Sequence, residues 1–122
     1  LKHVNDRYGH AAGDQALVQV TDLCQAALGA NDLLGRLGGD EFCALLPGRD
    51  SEAAAAVAVG LIAAVRASRF AFADDVHPSL SIGLATTQSP GDDYESLWLR
   101  ADSALYVAKR NGRGRMARDA DE

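Results

Sequence analysis

Apolar side chains recur along this chain in two rhythms. Between residues 12 and 28, Ala16, Leu17, Val20, Leu23, Cys24, Ala27 and Leu28 fall at steps of one, three and four, the spacing of one helix face. Gly29 follows as a stop. A second helical stretch runs through the alanine-rich segment from Ser51, the expected N-cap, to about Ser68. A third runs from about Tyr94 to Asn111, with Leu97, Leu99, Ala101, Ala104, Leu105 and Ala108 as its apolar set and Gly112 as its stop. Elsewhere the runs are shorter and extended. Leu33, Leu34 and Leu37 precede Gly38-Gly39, and Phe42 to Leu46 follow it. This is the pattern of a β-hairpin, because glycine supplies the positive φ of a tight turn. Pro47-Gly48 closes it. Ser79 to Thr86, SLSIGLAT, alternates as a strand. Phe70-Ala71-Phe72 reads as a short strand before an Asp74-Asp75 turn, residues 89 to 93 as a loop, and Arg113 to Arg118 as a last short strand.

The order is helix, strand, strand, helix, strand, helix. It predicts an α/β (α+β) sandwich in which helices pack on the faces of a mixed or antiparallel sheet. One hairpin and one further strand make a small sheet for three helices, so a central strand upstream of Leu1 is expected to complete it. Residues 1–118 are expected to form one domain, and residues 119–122 a charged tail or linker.

Composition narrows the picture only a little. The chain has 122 residues, of which 48% are hydrophobic and 24% charged. That is enough for one core and argues against disorder. The net charge of −5 argues against a nucleic-acid-binding surface. No window reaches the roughly 18 consecutive apolar residues of a membrane span. Cys24 and Cys43 show neither a disulfide framework nor a paired metal spacing. Both are expected in the core, in a reducing, cytoplasmic setting.

What composition leaves unexplained is the stretch GRLGGDEFCALLPG, residues 35 to 48. Asp40 and Glu41 stand side by side at the mouth of the returning strand. Alone, they could be two solvated acids at a hairpin tip. They do not stand alone. LKHVNDRYGHAAGD resembles the signature FKxINDxxGHxxGD, and LGGDEF the motif GGDEF. SLSIGLA resembles SxSIGxA, and ADSALYVAKRNGRGR resembles ADxALYxAKxxGRNR. With four motifs in order over residues 1 to about 118, the chain resembles the GGDEF domain, the diguanylate cyclase family.

The resemblance implies a fold like the palm of nucleotide cyclases and polymerases. It implies condensation of two GTP to cyclic di-GMP with release of pyrophosphate, using Mg2+ or Mn2+. Each domain holds one GTP, so a second GGDEF domain must face it in a head-to-head homodimer. Asp40 becomes a metal ligand and Glu41 a second acid at the metal site. Carboxylates suit a hard cation, and metals serve attack of a hydroxyl on an α-phosphate. Adjacent strand residues point to opposite faces, so both acids reach one site only if the chain twists there.

Asn5 and Asp14 match the family's guanine readers. A carboxylate accepts from the guanine N1–H and amino group, and an amide can donate and accept at the same base. Read without the family, Asp14 could cap the 12–28 helix and Asn5 could be a turn residue. His10 matches the signature and is expected either to contact substrate or to be structural. Lys109 and Arg113 match the pair that holds the triphosphate, a point charge and a fork; a solvated basic helix end is their alternative. Lys2 matches a lysine that stabilises charge at the reacting phosphate. Tyr94, Trp98, Leu105 and Tyr106 are expected to be structural, and His3 and His77 to be surface residues.

Two departures from the family carry expectations. The family's first strand, which bears a metal-binding aspartate, would precede Leu1, so the chain as it stands is expected to be inactive. Leu1 also replaces the usual phenylalanine. Many members carry RxxD ahead of the hairpin, a site that binds product and inhibits. Here those positions read Gly29-Ala30-Asn31-Asp32, so no inhibition through them is expected. Arg36 lies too close to Gly38 to substitute. The competing function is a non-catalytic GTP-binding or dimerisation module that regulates a neighbouring domain. Sensory or phosphodiesterase domains are the expected neighbours, in a parent that could be membrane-tethered, with no membrane contact by this domain.

Overall fold

A computed structural model of the chain describes residues 2–38, 41–70, 78–87 and 91–119, without the side chains of Lys2 and His3. The elements in order are α1 (Lys2–Tyr8), α2 (His10–Ala27), β1 (Leu33–Gly38), β2 (Glu41–Leu45), α3 (Ser51–Ala67), β3 (Ile82–Leu84), α4 (Tyr94–Arg110) and β4 (Met116–Arg118). The fold is α+β. The described strands form an antiparallel β1–β2 hairpin and a parallel β3–β4 pair, so both pairing senses are present.

α1 packs on α2 through Val4, Ala12, Ala16 and Phe70, with Tyr8 against them. α3 lies between α2 and the β3–β4 pair. Its alanines set the spacing. Ala54, Ala55, Ala58, Leu61, Ile62 and Val65 are buried along one face, and small side chains let neighbouring backbones approach. α4 covers β3 and β4 through Ala104, Ala108 and Ala117. The approach is closest at Gly83. A Cβ there would lie 2.1 Å from the Ala101 carbonyl oxygen and 2.3 Å from the Leu105 nitrogen. Gly83, the last residue of SIG and the middle residue of β3, is therefore what allows the strand to lie on the α4 backbone.

Polar contacts fasten the ends of this half. Arg100 on α4 donates to the Thr86 carbonyl at 3.1 Å, to Asp119 at 2.5 Å and to Asp92. Asp119, expected in a loose tail, also donates its N–H to the Leu84 carbonyl at 2.9 Å. Arg118 pairs with Glu52 at the start of α3 at 2.7 Å. Its hydrogen bond and positive charge hold the Glu52 carboxyl below its ordinary range.

Several expectations are corrected. Asp50, not Ser51, caps α3, accepting from the Ala53 N–H at 2.8 Å. The first helix begins earlier than residue 12, and α1 precedes it. α2 ends through an extended Leu28 (φ −91°, ψ 153°), one residue before Gly29. The 79–86 strand shrinks to Ile82–Leu84, and the 113–118 strand to Met116–Arg118, because the 111–115 segment is spent on a turn. Cys24 is buried, but Cys43 is only partly so. Tyr94, Trp98, Leu99 and Tyr106 are exposed. The narrow β3–β4 pair covers only the alanine stripe of α4, and these side chains lie off that stripe. Residue Phe70 is buried. The rest of the 70–72 strand, the Asp74-Asp75 turn, His77 and residues 89 and 90 of the 89–93 loop lie outside the described residues.

Candidate active site

The segment NDRYGHAAGD makes two helices with one hinge. Gly9 donates its N–H to the Asn5 carbonyl at 2.9 Å, ending α1, and its own carbonyl accepts from Gly13 at 3.2 Å, starting α2. Gly9 sits at φ 91°, ψ 168°, a backbone state open to glycine and strained for other residues. The hinge folds α1 back on α2. Gly13 is buried, and a Cβ there would fall 1.7 Å from Asn5 Oδ1. The Asn5 amide thus occupies the space that a side chain at position 13 would take, one residue from Asp14. The Asn5 amide is thereby seated against the residue that precedes Asp14, though Asn5 is not among the residues that line the cleft onto which Asp14 opens. Neither alternative reading of these two residues holds: Asn5 lies within α1, and Asp14 lies within α2, whose first turn has no side-chain cap.

Asp14 opens onto a cleft of about 440 Å³ lined by Asp14, Leu17, Val18, Thr21, Asp22, Arg36 and Phe42. One wall is α2; the other is the hairpin. Leu17, Val18 and Phe42 offer apolar surface for a flat ring, and Asp14 sits where it could read the ring's edge. A second hollow of about 540 Å³ is confined to α2 residues, sharing Asp14, Val18 and Asp22. The first spans two elements and includes Phe42, the neighbour of Glu41, so it is the better candidate.

The tip itself is shaped by glycine and a bulge. Gly38 has φ 147° and pairs with Glu41, with a register shift between Arg36 and Gly38. A bulge adds local twist, the condition required for neighbouring acids to approach one site. Glu41 is exposed at the start of β2, next to the cleft wall residue Phe42. Asp40, Gly39 and the side chains of Lys2 and His3 lie outside the described residues. His10 is exposed at the first position of α2 and is not part of the cleft lining.

The basic pair stands at the end of α4. Arg113 donates its N–H to the Ala108 carbonyl at 3.1 Å and Gly112 to that of Lys109 at 3.3 Å. This is a Schellman stop, and Gly112 has the positive φ it needs, 120°. Arg113 follows at φ 61°, exposed, while Lys109 is half-buried. The side chains of Asn5, Asp14, Glu41, Lys109 and Arg113 form no hydrogen bond or ion pair with one another among the described residues. Sequence reasoning missed two residues here. Ser81 Oγ accepts from the Gly114 N–H at 3.0 Å, and Arg66 donates to the Gly114 carbonyl at 2.6 Å. Ser81 lay in a quoted motif without a role; nothing in the sequence marked Arg66.

Comparisons with known proteins bear on the family and the fold. Residues 1–115 match the family described as Diguanylate cyclase, GGDEF domain. The diguanylate cyclase TpbB of Pseudomonas aeruginosa (strain UCBPP-PA14) is 43% identical over 116 residues, covering 93% of this chain and 27% of TpbB. The chain therefore spans about a quarter of that relative's length. The active GGEEF domain of a diguanylate cyclase from Vibrio cholerae superposes with a TM-score of 0.91 at 30% identity, over 99% of this chain and 77% of that one. The GGDEF domain of DgcB from Caulobacter crescentus, solved with cyclic di-GMP, gives 0.89 at 28% identity, over 97% and 71%. Four ordered motifs, the α+β fold and a match across nearly every residue point one way: this chain belongs to the diguanylate cyclase GGDEF-domain family.

Proposed function

We propose that this chain is the catalytic domain of a diguanylate cyclase, binding one GTP and, with a second copy facing it, condensing two GTP to cyclic di-GMP. The observation that carries this reading is that Asp14 lines a cleft shared with the hairpin, while the Asn5 amide is seated against Gly13, the residue before it. A carboxylate accepts from both the N1–H and the amino group of guanine. Adenine has an acceptor at N1, so the same carboxylate would repel it. Asn5 completes the edge.

Lys109 and Arg113 would grip the phosphates at the far end of the nucleotide, with His10 as a further substrate contact. Each domain holds one GTP, so the attacking 3′-oxygen comes from the facing domain. That oxygen bonds to the α-phosphorus, the bond from this phosphorus to the bridging oxygen breaks, and pyrophosphate leaves with the electron pair while the hydroxyl proton is released. Lys2 would offset charge at that phosphate. Glu41 presents exposed carboxylate oxygens beside a twisted strand end, the donor type that Mg2+ or Mn2+ takes alongside substrate phosphates. Asp40 and Glu41 would hold the ion, which when bound supplies charge neutralisation and an acidified hydroxyl. GTP supply places the domain in the cytoplasm, attached to sensory or phosphodiesterase domains in its parent.

The test is turnover by the full-length protein with GTP and Mg2+, read as cyclic di-GMP formed. Product from GTP and none from ATP is expected, with Asp14→Ala and Glu41→Ala each lowering the rate by about 100-fold or more. Undiminished turnover in Asp14→Ala, or equal use of ATP, would reject the reading.

A further inference from the structure

Arg113 is the one described non-glycine residue with positive φ, at 61°. Its neighbours Gly112 and Gly114, at 120° and 60°, make three such residues in succession. Glycine adopts this freely; arginine does so only at a cost, and a side chain held there persists when its surroundings over-determine the backbone. They do. The Arg113 N–H is bonded to the Ala108 carbonyl, and its carbonyl accepts from Arg115 Nε at 3.2 Å. Beyond it, both polar groups of Gly114 are taken by distant elements. The N–H goes to Ser81 Oγ ahead of β3, and the carbonyl to Arg66 in the last turn of α3. The Arg115 carbonyl then accepts from the Ile82 N–H at 3.0 Å, starting the β3–β4 pairing. The Arg113 guanidinium has no partner among the described residues. The backbone is fully bound and the charge is left open.

Resting on the reading of Arg113 as a phosphate ligand, we propose that Ser81 and Arg66 are positioning residues: together they clamp Gly114 and so hold Arg113 in its left-handed conformation for the β- and γ-phosphates of the nucleotide. Without the clamp, residues 113 and 114 relax toward ordinary φ values and the guanidinium leaves its place. The loss falls on polyphosphate, not on the base.

The experiment is calorimetric titration of the full-length protein with a non-hydrolysable GTP analogue and with GMP. Ser81→Ala should weaken the triphosphate by about tenfold, the scale of one hydrogen-bonded contact, and leave GMP unchanged. Ser81→Thr, which keeps the hydroxyl, should restore binding. Arg66→Gln removes an exposed side chain that is not part of the core, and should act like Ser81→Ala. In an Arg113→Ala background, Ser81→Ala should add nothing. A merely structural role would weaken GMP equally, or would add to Arg113→Ala; either result overturns the proposal. An effect of Arg113→Ala with none from Ser81→Ala or Arg66→Gln overturns the clamp alone. No effect of Arg113→Ala overturns the phosphate-ligand reading and the clamp with it.

Discussion

Arg49 Nη2 stands 2.9 Å from Asp32 Oδ2, and the same oxygen accepts the Gly29 N–H at 2.6 Å. The Asp32 side chain is only 3% exposed. The aspartate left by the broken RxxD pattern is therefore committed to its own loop, and Arg49 lies 3.1 Å from where a side chain at position 29 would begin. Asp32→Ala should leave any effect of cyclic di-GMP on turnover unchanged. It should instead lower the unfolding free energy by about 1–3 kcal/mol, since it strips a charge-assisted bond from a partly buried guanidinium. Product titration and denaturant unfolding of the variant separate the two effects. Tight product binding that disappears with Asp32 would contradict this assignment.

Gly13→Ala should damage the site while sparing the fold. The incoming methyl meets the far end of the Asn5 side chain, which can swing away; it does not meet backbone. Apparent GTP affinity should fall about tenfold, the scale of a lost base contact. The double variant Asn5→Ala with Gly13→Ala should bind no worse than Asn5→Ala. A measured cycle with additive losses would contradict the packing argument.

Gly83→Ala should behave in the opposite way. Here the methyl would meet the α4 backbone at 2.1 and 2.3 Å, and backbone cannot swing aside. Overpacking of this kind costs about 3 kcal/mol or more. The expected outcome is a large drop in melting temperature. An unchanged melting curve would mean that β3 and α4 are not in contact as described.

Burial pushes the Cys24 thiol above its ordinary value of 9.0. The unfolded thiol ionises first, so the stability that this group contributes is complete below pH 9.0 and falls as the pH rises toward the folded value. The stability gap between the wild type and Cys24→Ala should therefore narrow above pH 9. Denaturant unfolding from pH 8 to 10.5 checks this, and parallel profiles would count against it. At neutral pH the half-buried Cys43 should react with a thiol reagent before Cys24.

Much of the candidate site could be named from the sequence because its motifs are local. Asn5, Asp14, Lys109 and Arg113 were proposed from the resemblance of their motifs to the family, and the helices that carry Asp14 and Lys109 from apolar periodicity. What could not be read depends on approach between segments. The exposed side of α4, with Trp98 and Tyr106, looked structural because periodicity says which residues share a face, not how wide a surface covers it.

The chain's own letters determined the helices, the hairpin, the glycine-permitted turns and the set of polar groups available to a nucleotide, since each follows from torsional freedom and spacing within a few residues. Tertiary structure alone decided that Gly13 leaves room for the Asn5 amide, that Gly83 admits the α4 backbone, and that Ser81 and Arg66 meet at Gly114 from positions 33 and 48 residues away. The physical reason is that steric exclusion and hydrogen bonding act over a few ångströms. Which distant residues come within that reach is settled only when the elements pack.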